Sequence, residues 1–285
     1  HLRMPELPEV ETIARRLQEV LPGKTILNIQ VLHSKSFFGD GGDLQDSQIL
    51  KVSRRGKSIT IHTSAEQDIL IHLKMTGQLI YQDSQRRVGG GHPTADWTKD
   101  LPGKHTRVVL NLSDNAKLFF NDQRLFGWIK AVTASERTAY LHALGPDVID
   151  PEFSAAYFYP LLQRKRIPIK VALLDAALVA GIGNIYVCDA LNLAKISPLR
   201  PCITLSYEEV ERLVAASKAV IAQGIELGGT TFDGKYVTVD GLAGKYQSVV
   251  RVYGRQGEPC FNCGSLIEKI MIIGRGTYLC SGCQV

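Results

Sequence analysis

The 285-residue chain lacks several features that would each have pointed elsewhere. No apolar run approaches the roughly 20 residues that cross a bilayer, so no membrane span is expected. No secretory signal pattern is evident, which makes an oxidising compartment unexpected and a cytoplasmic location the expectation. No internal repeat is evident, so a solenoid or propeller is not indicated. No cluster of His and Asp offers a metal an open coordination position, which speaks against a generic metalloenzyme. Charge of one sign is also scarce. The net is +5, a mild surplus that favours a polyanionic partner without establishing one.

What the chain does have is concentrated near its carboxyl end. Cys260, Cys263, Cys280 and Cys283 form C-x2-C, sixteen residues, then C-x2-C. Each close pair can offer two thiolates to one metal, and two such knuckles complete a tetrahedral S4 site suited to one structural Zn2+. The intervening segment reads as strand, turn, strand and has too few large apolar residues to hold itself together without the metal. Two disulfides are the alternative, and they need an oxidising compartment. Four thiolates leave no position for water, so the zinc is not expected to be catalytic. Cys188 and Cys202 have no partner in sequence and read as buried thiols.

With 45% hydrophobic and 21% charged residues, the chain has room for two domains with cores of their own. Basic residues gather in three places: Arg54, Arg55 and Lys57; Arg164, Lys165, Arg166 and Lys170; and Arg251, Arg255 and Arg275. Dispersed around a folded body, they suit a phosphate-lined cleft better than a disordered tail. A first helix is expected from Pro8 to about Leu21, stopped by Pro22-Gly23. Short strands are expected near 24–33, 49–54, 57–63, 68–74, 77–82, 106–112, 116–121 and 127–133, with Asp114-Asn115 as a hairpin turn. Segment 86–104, with Gly89-Gly90-Gly91, reads as a long mobile loop. Helices are expected near 154–163, 168–179, 185–194 and 206–227, followed by a glycine-rich loop over 228–247. The expected domains are 4–146 (β-sandwich), a linker 147–153, 154–250 (helical) and 251–285 (zinc ribbon).

The amino end carries the chemistry. If Met4 is the start and is removed, Pro5 gains a free secondary amine. An α-amine titrates near 8, so a useful fraction is unprotonated and nucleophilic at neutral pH. Attack on a sugar C1′ gives an iminium that can act as an electron sink, and Glu6 is placed to be general acid and base at the same carbon. Taken alone, the same Pro-Glu segment can equally serve only to cap a helix.

Met-Pro-Glu-Leu-Pro-Glu-Val-Glu-Thr at 4–12 resembles the start of bacterial formamidopyrimidine-DNA glycosylases. So do Arg54-Arg55-Gly56-Lys57, His72-Leu73-Lys74-Met75-Thr76-Gly77 and Asp122-Gln123-Arg124-Leu125-Phe126-Gly127. Further along, Gly181-Ile182-Gly183-Asn184-Ile185-Tyr186, Gly228-Gly229-Thr230-Thr231, Val252-Tyr253-Gly254-Arg255 and Gly274-Arg275-Gly276-Thr277 follow in the family's order. The resemblance implies an α+β chain of two domains: an amino-terminal β-sandwich with a flanking helix, then a helix–two-turns–helix bundle with a four-cysteine zinc ribbon, facing each other across a basic cleft. It implies a monomeric, bifunctional DNA glycosylase and AP lyase of base excision repair. The substrate is double-stranded DNA containing oxidised purines (8-oxoguanine, formamidopyrimidines) or abasic sites.

Carried over, Pro5 is the Schiff-base nucleophile, Glu6 the proton donor and Glu9 a second acidic residue. Lys57 assists β-elimination, and Arg275 grips the lesion phosphates with a part in δ-elimination. Met75, Arg124 and Phe126 match residues that fill the void left by an everted nucleotide. Asn184, read also as the N-cap of a helix whose amino end suits a phosphate, matches a DNA contact, as do His105 and Lys165. Thr230, Thr231 and Tyr236 match the loop that closes over the lesion. Two departures stand out. Leu125 replaces a basic residue of many relatives, and His1-Leu2-Arg3 precede Met4, an extension or misassigned start that would block Pro5. The competing readings are an endonuclease VIII type acting on oxidised pyrimidines, which typically has Gly where Leu7 stands, and a non-catalytic zinc-ribbon DNA-binding protein.

Overall fold

In a computed structural model of the chain, residues 4–91, 100–230 and 244–285 are described. The chain divides into two compact units. The first runs to His142 and takes in residues 227–230 and 244–245; the second runs from Ala143 to Glu226 and from Tyr246 onward. The division therefore falls earlier than the linker expected at 147–153, and the start of the glycine-rich segment goes with the first unit.

Ten strands of the first unit form two five-stranded sheets. One holds β1 (Ile26–Val31), β8 (Thr106–Leu112), β9 (Lys117–Asp122), β6 (Gly77–Gln82) and β7 (Arg87–Gly91), in that spatial order. The other holds β2 (Phe37–Phe38), β10 (Trp128–Thr133), β5 (Gln67–His72), β4 (Ser58–Thr63) and β3 (Ile49–Arg55). Alternation turns Ile59, Ile61, Ile69 and Ile71 of one sheet and Leu79, Val108, Leu110, Leu118 and Phe120 of the other into one shared core. Asp114 and Asn115 both take positive φ between β8 and β9, the hairpin turn their types predict.

Helix α1 (Leu7–Val20) joins this core through Val10, Ile13, Ala14 and Leu17. It also explains the glycine run. Residues 87–91 are not a loop but strand β7, paired antiparallel with β6 from Gln78↔Gly91 to Gln82↔Arg87. A Cβ on Gly90 would lie 2.3 Å from Ile13 Cγ1, and Arg16 Nη1 donates to the Gly89 carbonyl at 3.0 Å. The glycines let the helix approach the strand backbone, a role that looks like loop chemistry in a single sequence.

Helix α2 (Ala134–His142) was not expected either. It has no buried residue, hence no apolar stripe to read, and is held by polar anchors. Tyr140 Oη and Ser58 Oγ share a hydrogen bond of 2.9 Å, and Arg137 pairs with Asp68. Asp68 also meets His62 Nδ1 at 3.0 Å, and Ser53 Oγ lies 2.8 Å from His62 Nε2. The Ser–His–Asp order looks catalytic, but burial and the charges of Arg137 and Lys51 hold His62 near a pKa of about 4. An imidazole that resists protonation so strongly is a poor base, and the cluster is an anchor for α2.

The second unit contains α3 (Ala155–Leu162), α4 (Ile169–Leu173), α5 (Asn184–Leu193), α6 (Tyr207–Glu226) and the hairpin β11 (Glu268–Ile272)–β12 (Arg275–Leu279). The helix expected over 168–179 ends at Leu173. Asp175 Oδ1 accepts the Ala177 N–H at 3.0 Å, an Asp-led turn that competes with helix continuation. No helix among the described residues is long and apolar enough to cross a membrane.

The α1–β7 contact predicts that Gly90→Val destabilises the protein by about 2 kcal/mol through overpacking. Denaturant melts should also show that Ile13→Ala relieves part of this loss; independent, additive losses would mean the contact is not tight.

Candidate functional site

In the first unit the candidate residues converge on the amino end of α1 and on three turns. Pro5 is buried, and Glu6, only 3% exposed, is the helix N-cap. Glu9 closes a capping box back onto it, accepting the Glu6 N–H on Oε2 at 2.9 Å. The other oxygen, Oε1, accepts from Thr230 twice: the N–H at 2.7 Å and Oγ1 at 2.9 Å. Glu9 thus ties the helix start to the start of the glycine-rich segment. Gly229, at φ +81°, leaves room for the carboxylate, since a Cβ there would lie 2.8 Å from Glu9 Oε1. Thr231 and Tyr236 lie outside the described residues.

Lys57 occupies the second position of the two-residue β3–β4 turn, where Arg55 pairs with Ser58 and Gly56 takes φ +57°. Its neighbour Arg54 is not the surface cation that the basic cluster suggested. Only 6% of its side chain is exposed, and Nε meets Glu11 Oε2 at 2.5 Å.

Met75, Arg124 and Phe126 come together. The Arg124 guanidinium lies 4.7 Å from the Phe126 ring centroid, and Nη1 is 3.5 Å from Met75 Sδ. Phe126 is half exposed, so it is not core. What holds the two turns in place is Asp122, fully buried. Its Oδ1 accepts from Thr76 Oγ1 and from the Arg124 N–H (3.2 Å), and its Oδ2 from the Gly127 N–H (2.7 Å). Asp122 N–H donates to the His105 carbonyl at 2.9 Å, which brings His105 to the same hub. Neither Asp122 nor Thr76 was singled out from sequence; the signal available was their place inside the two quoted motifs.

His72, on the strand before Met75, accepts the Lys74 N–H on Nδ1 at 3.0 Å. Burial, then the charges of Lys74 and Lys57, push its pKa from the ordinary 6.5 to about 3.

In the second unit Asn184 is the first residue of α5 rather than its cap, which is Gly183. Its Nδ2 donates 3.0 Å to the Gly276 carbonyl in the ribbon hairpin. Arg275 is exposed directly after the Ile273-Gly274 turn, both at positive φ. Lys165 is half-buried. Lys170, counted with the basic residues, is fully buried and donates Nζ to Thr277 Oγ1 at 2.5 Å. Asp189, also fully buried, receives Tyr246 Oη at 2.9 Å and the N–H groups of Arg251, Val252 and Tyr253 at 3.0, 3.0 and 3.3 Å. Burial pushes its carboxyl upward and those donors oppose the shift.

The four ribbon cysteines have Sγ atoms within 4.8 Å of one another. Cys260 and Cys283 are 3.8 Å apart and Cys263 and Cys280 3.4 Å. A tetrahedron with Zn–S near 2.3 Å needs edges of about 3.8 Å, so the set fits one structural Zn2+.

Family models described as the formamidopyrimidine-DNA glycosylase N-terminal domain, its H2TH domain and a zinc finger found in FPG and IleRS match residues 4–129, 144–235 and 257–285. The chain is 38% identical over 290 residues to the formamidopyrimidine-DNA glycosylase of Pelotomaculum thermopropionicum and 40% identical over 298 residues to that of Acaryochloris marina, covering 99% of both chains in each case. Among solved structures it resembles the MutM (Fpg) protein of Thermus thermophilus (TM-score 0.84, 35% identity, 98% of each chain). It also resembles the Lactococcus lactis Fpg in complex with DNA containing an abasic site (TM-score 0.86, 30% identity, 98% of this chain and 99% of that one).

His72 provides a pH test of this geometry. The fold prefers the neutral imidazole, so its contribution to stability is fully present above about pH 6.5 and is lost as pH falls toward 3. Wild type should therefore lose more Tm than His72→Gln between pH 7 and pH 4.5; parallel curves would refute the assignment.

Proposed function

The chain belongs to the formamidopyrimidine-DNA glycosylase family, and we propose that it is a bifunctional DNA glycosylase and AP lyase that removes oxidised purines in base excision repair. The observation that carries the reading is the setting of Pro5 and Glu6, consecutive buried residues at the amino end of α1.

With Pro5 as the amino terminus, its nitrogen is a secondary amine beside the positive end of a helix dipole. That field disfavours the ammonium form and leaves more neutral nucleophile. The nitrogen attacks C1′ of the damaged nucleotide, the C1′–N bond to the base breaks, and the departing base takes up the proton that the Pro5 nitrogen loses. Glu6 gives a proton to O4′ as the sugar ring opens, leaving an iminium between Pro5 and C1′. The iminium accepts the electron pair released when a C2′ proton is removed, and the C3′–O bond breaks with loss of the 3′ phosphate. A second elimination releases the 5′ phosphate. Water then hydrolyses the iminium and restores Pro5.

The other residues serve these steps. Lys57 holds the flanking phosphate and assists β-elimination, and Arg275 grips the lesion phosphates and takes part in δ-elimination. Asn184, Lys165 and His105 add backbone contacts. Met75, Arg124 and Phe126, with Arg124 already against both of the others, fill the stack: thioether and ring wedge between bases while the guanidinium pairs with the orphaned base. Glu9 has both oxygens engaged, so its contribution is to hold Thr230, and with it the start of the lesion loop, against the nucleophile's helix. The zinc ribbon presents Arg275, and the zinc takes no part in the bond changes.

Protein that begins at Pro5 should form a covalent adduct with 8-oxoguanine duplex on borohydride reduction, whereas protein retaining residues 1–3 should bind the same DNA without trapping. Trapping by the extended form, whose Pro5 nitrogen is an amide, would overturn the mechanism. Excision of thymine glycol in preference to 8-oxoguanine would instead favour the pyrimidine-specific sister group. Lys57, Lys165 and Arg275 as three phosphate-neutralising cations give an expected slope of about −3 in log K against log salt, and Arg275→Ala should reduce its magnitude by about one. A flat response would contradict the phosphate grip.

A further inference from the structure

Resting on the role of Lys57 given above, we propose that Glu11 and Arg54 form a positioning clamp that sets Lys57 relative to the Pro5–Glu6 end of α1. Neither residue carries a role in the mechanism so far, yet their geometry links the two parts of the molecule that must cooperate. Glu11 lies one helical turn and a residue beyond Glu6, on the helix that begins at the nucleophile. Its Oε2 receives Arg54 Nε at 2.5 Å, and Oε1 receives Arg15 Nε at 2.7 Å. Arg54 then passes the constraint on: Nη1 donates to the carbonyl oxygen of Gly56 at 3.0 Å. That carbonyl belongs to the peptide bond leading into Lys57.

The location suits a constraint. Gly56, at φ +57°, supplies no side chain to fix the turn. Arg54 is 6% exposed and Glu11 17%, so the pair is shielded from the screening that weakens surface ion pairs. Burial alone would raise the Glu11 carboxyl, but the Arg54 and Arg15 guanidiniums hold it below its ordinary value, so the acceptor stays charged at neutral pH. The planar guanidinium fork can meet a carboxylate with one N–H and a carbonyl with another, which a lysine ammonium does not reproduce in fixed geometry. One further tie runs parallel: Gln18 Oε1 accepts the Val52 N–H at 2.6 Å, fixing the same strand to the same helix ahead of the turn. The helix and the strand therefore stay in register without the clamp, and the clamp acts on the turn.

The test is a double-mutant cycle in protein beginning at Pro5, read by single-turnover strand cleavage of a preformed abasic-site duplex. Glu11→Gln and Arg54→Lys should each slow cleavage by about 10- to 100-fold, the order expected for a catalytic group misplaced by about 1 Å. DNA affinity should change by less than about threefold, and Tm by only a few degrees. In a Lys57→Ala background, Glu11→Gln should bring no further slowing, because it acts through that lysine. Equal slowing by Glu11→Gln with and without Lys57 would overturn the clamp while leaving the assigned role of Lys57 intact. Unchanged cleavage by Lys57→Ala would overturn both, and Arg54→Lys acting like wild type would show that charge alone, not the fork, is what matters, which also overturns it.

Discussion

The carboxylate of Glu9 accepts hydrogen bonds from two distant parts of the first unit, and the start of α1 depends on them. One donor is the Glu6 N–H at the helix start; the other two belong to Thr230. A helix amino end leaves backbone donors that must find acceptors, and here an internal glutamate supplies one. The same group that finishes the helix fixes Glu6 and also Thr230, near the start of the glycine-rich segment. Local helix chemistry and site assembly are one constraint in this protein. For that reason a Pro-Glu start reads ambiguously in isolation, since good capping residues and good catalytic residues coincide.

A similar economy governs the cluster of Met75, Arg124 and Phe126. Three long side chains from two turns, Arg124 and Phe126 exposed and Met75 half-buried, would not hold a common geometry by themselves, because ordering flexible groups costs conformational entropy. Asp122 makes the order possible by burying a carboxylate among donors from both turns. A buried polar group left without partners is costly, so the turns are constrained to satisfy it. Asp122 thereby carries the structural duty, and Arg124 and Phe126 stay exposed to solvent.

What was legible in the sequence follows from the range of the signal. Strand alternation, the Asp114-Asn115 turn, the first helix and the cysteine spacing are local, and the structure has all of them. The glycine run failed because its explanation, Ile13 packed on Gly90, lies 77 positions away. Helix α2 failed because a helix anchored by Arg137 and Tyr140 shows no apolar period. Counting charge also misled: Arg54 and Lys170 contribute to the basic total, yet one is consumed by Glu11 and the other lies fully buried against Thr277. Net charge reports composition, and only the fold says which cations reach solvent.

The ribbon separates two jobs that a metal site is often assumed to do together. Zinc would close the two knuckles, since the segment from Cys260 to Cys283 has little core of its own, with Ile267, Ile272 and Leu279 as its buried apolar residues beside the cysteines. Polar ties from the helices of the same unit hold the hairpin against them. Lys170 reaches Thr277, Asn184 reaches the Gly276 carbonyl, and Asp189 gathers the backbone of Arg251, Val252 and Tyr253 just before the first knuckle. Two of these ties land on the two residues that follow Arg275. Buried polar contacts are directional in a way that apolar packing is not, so they can fix the pose of an exposed arginine on a small module. The metal makes the ribbon a folded object, and the helices determine where its arginine points.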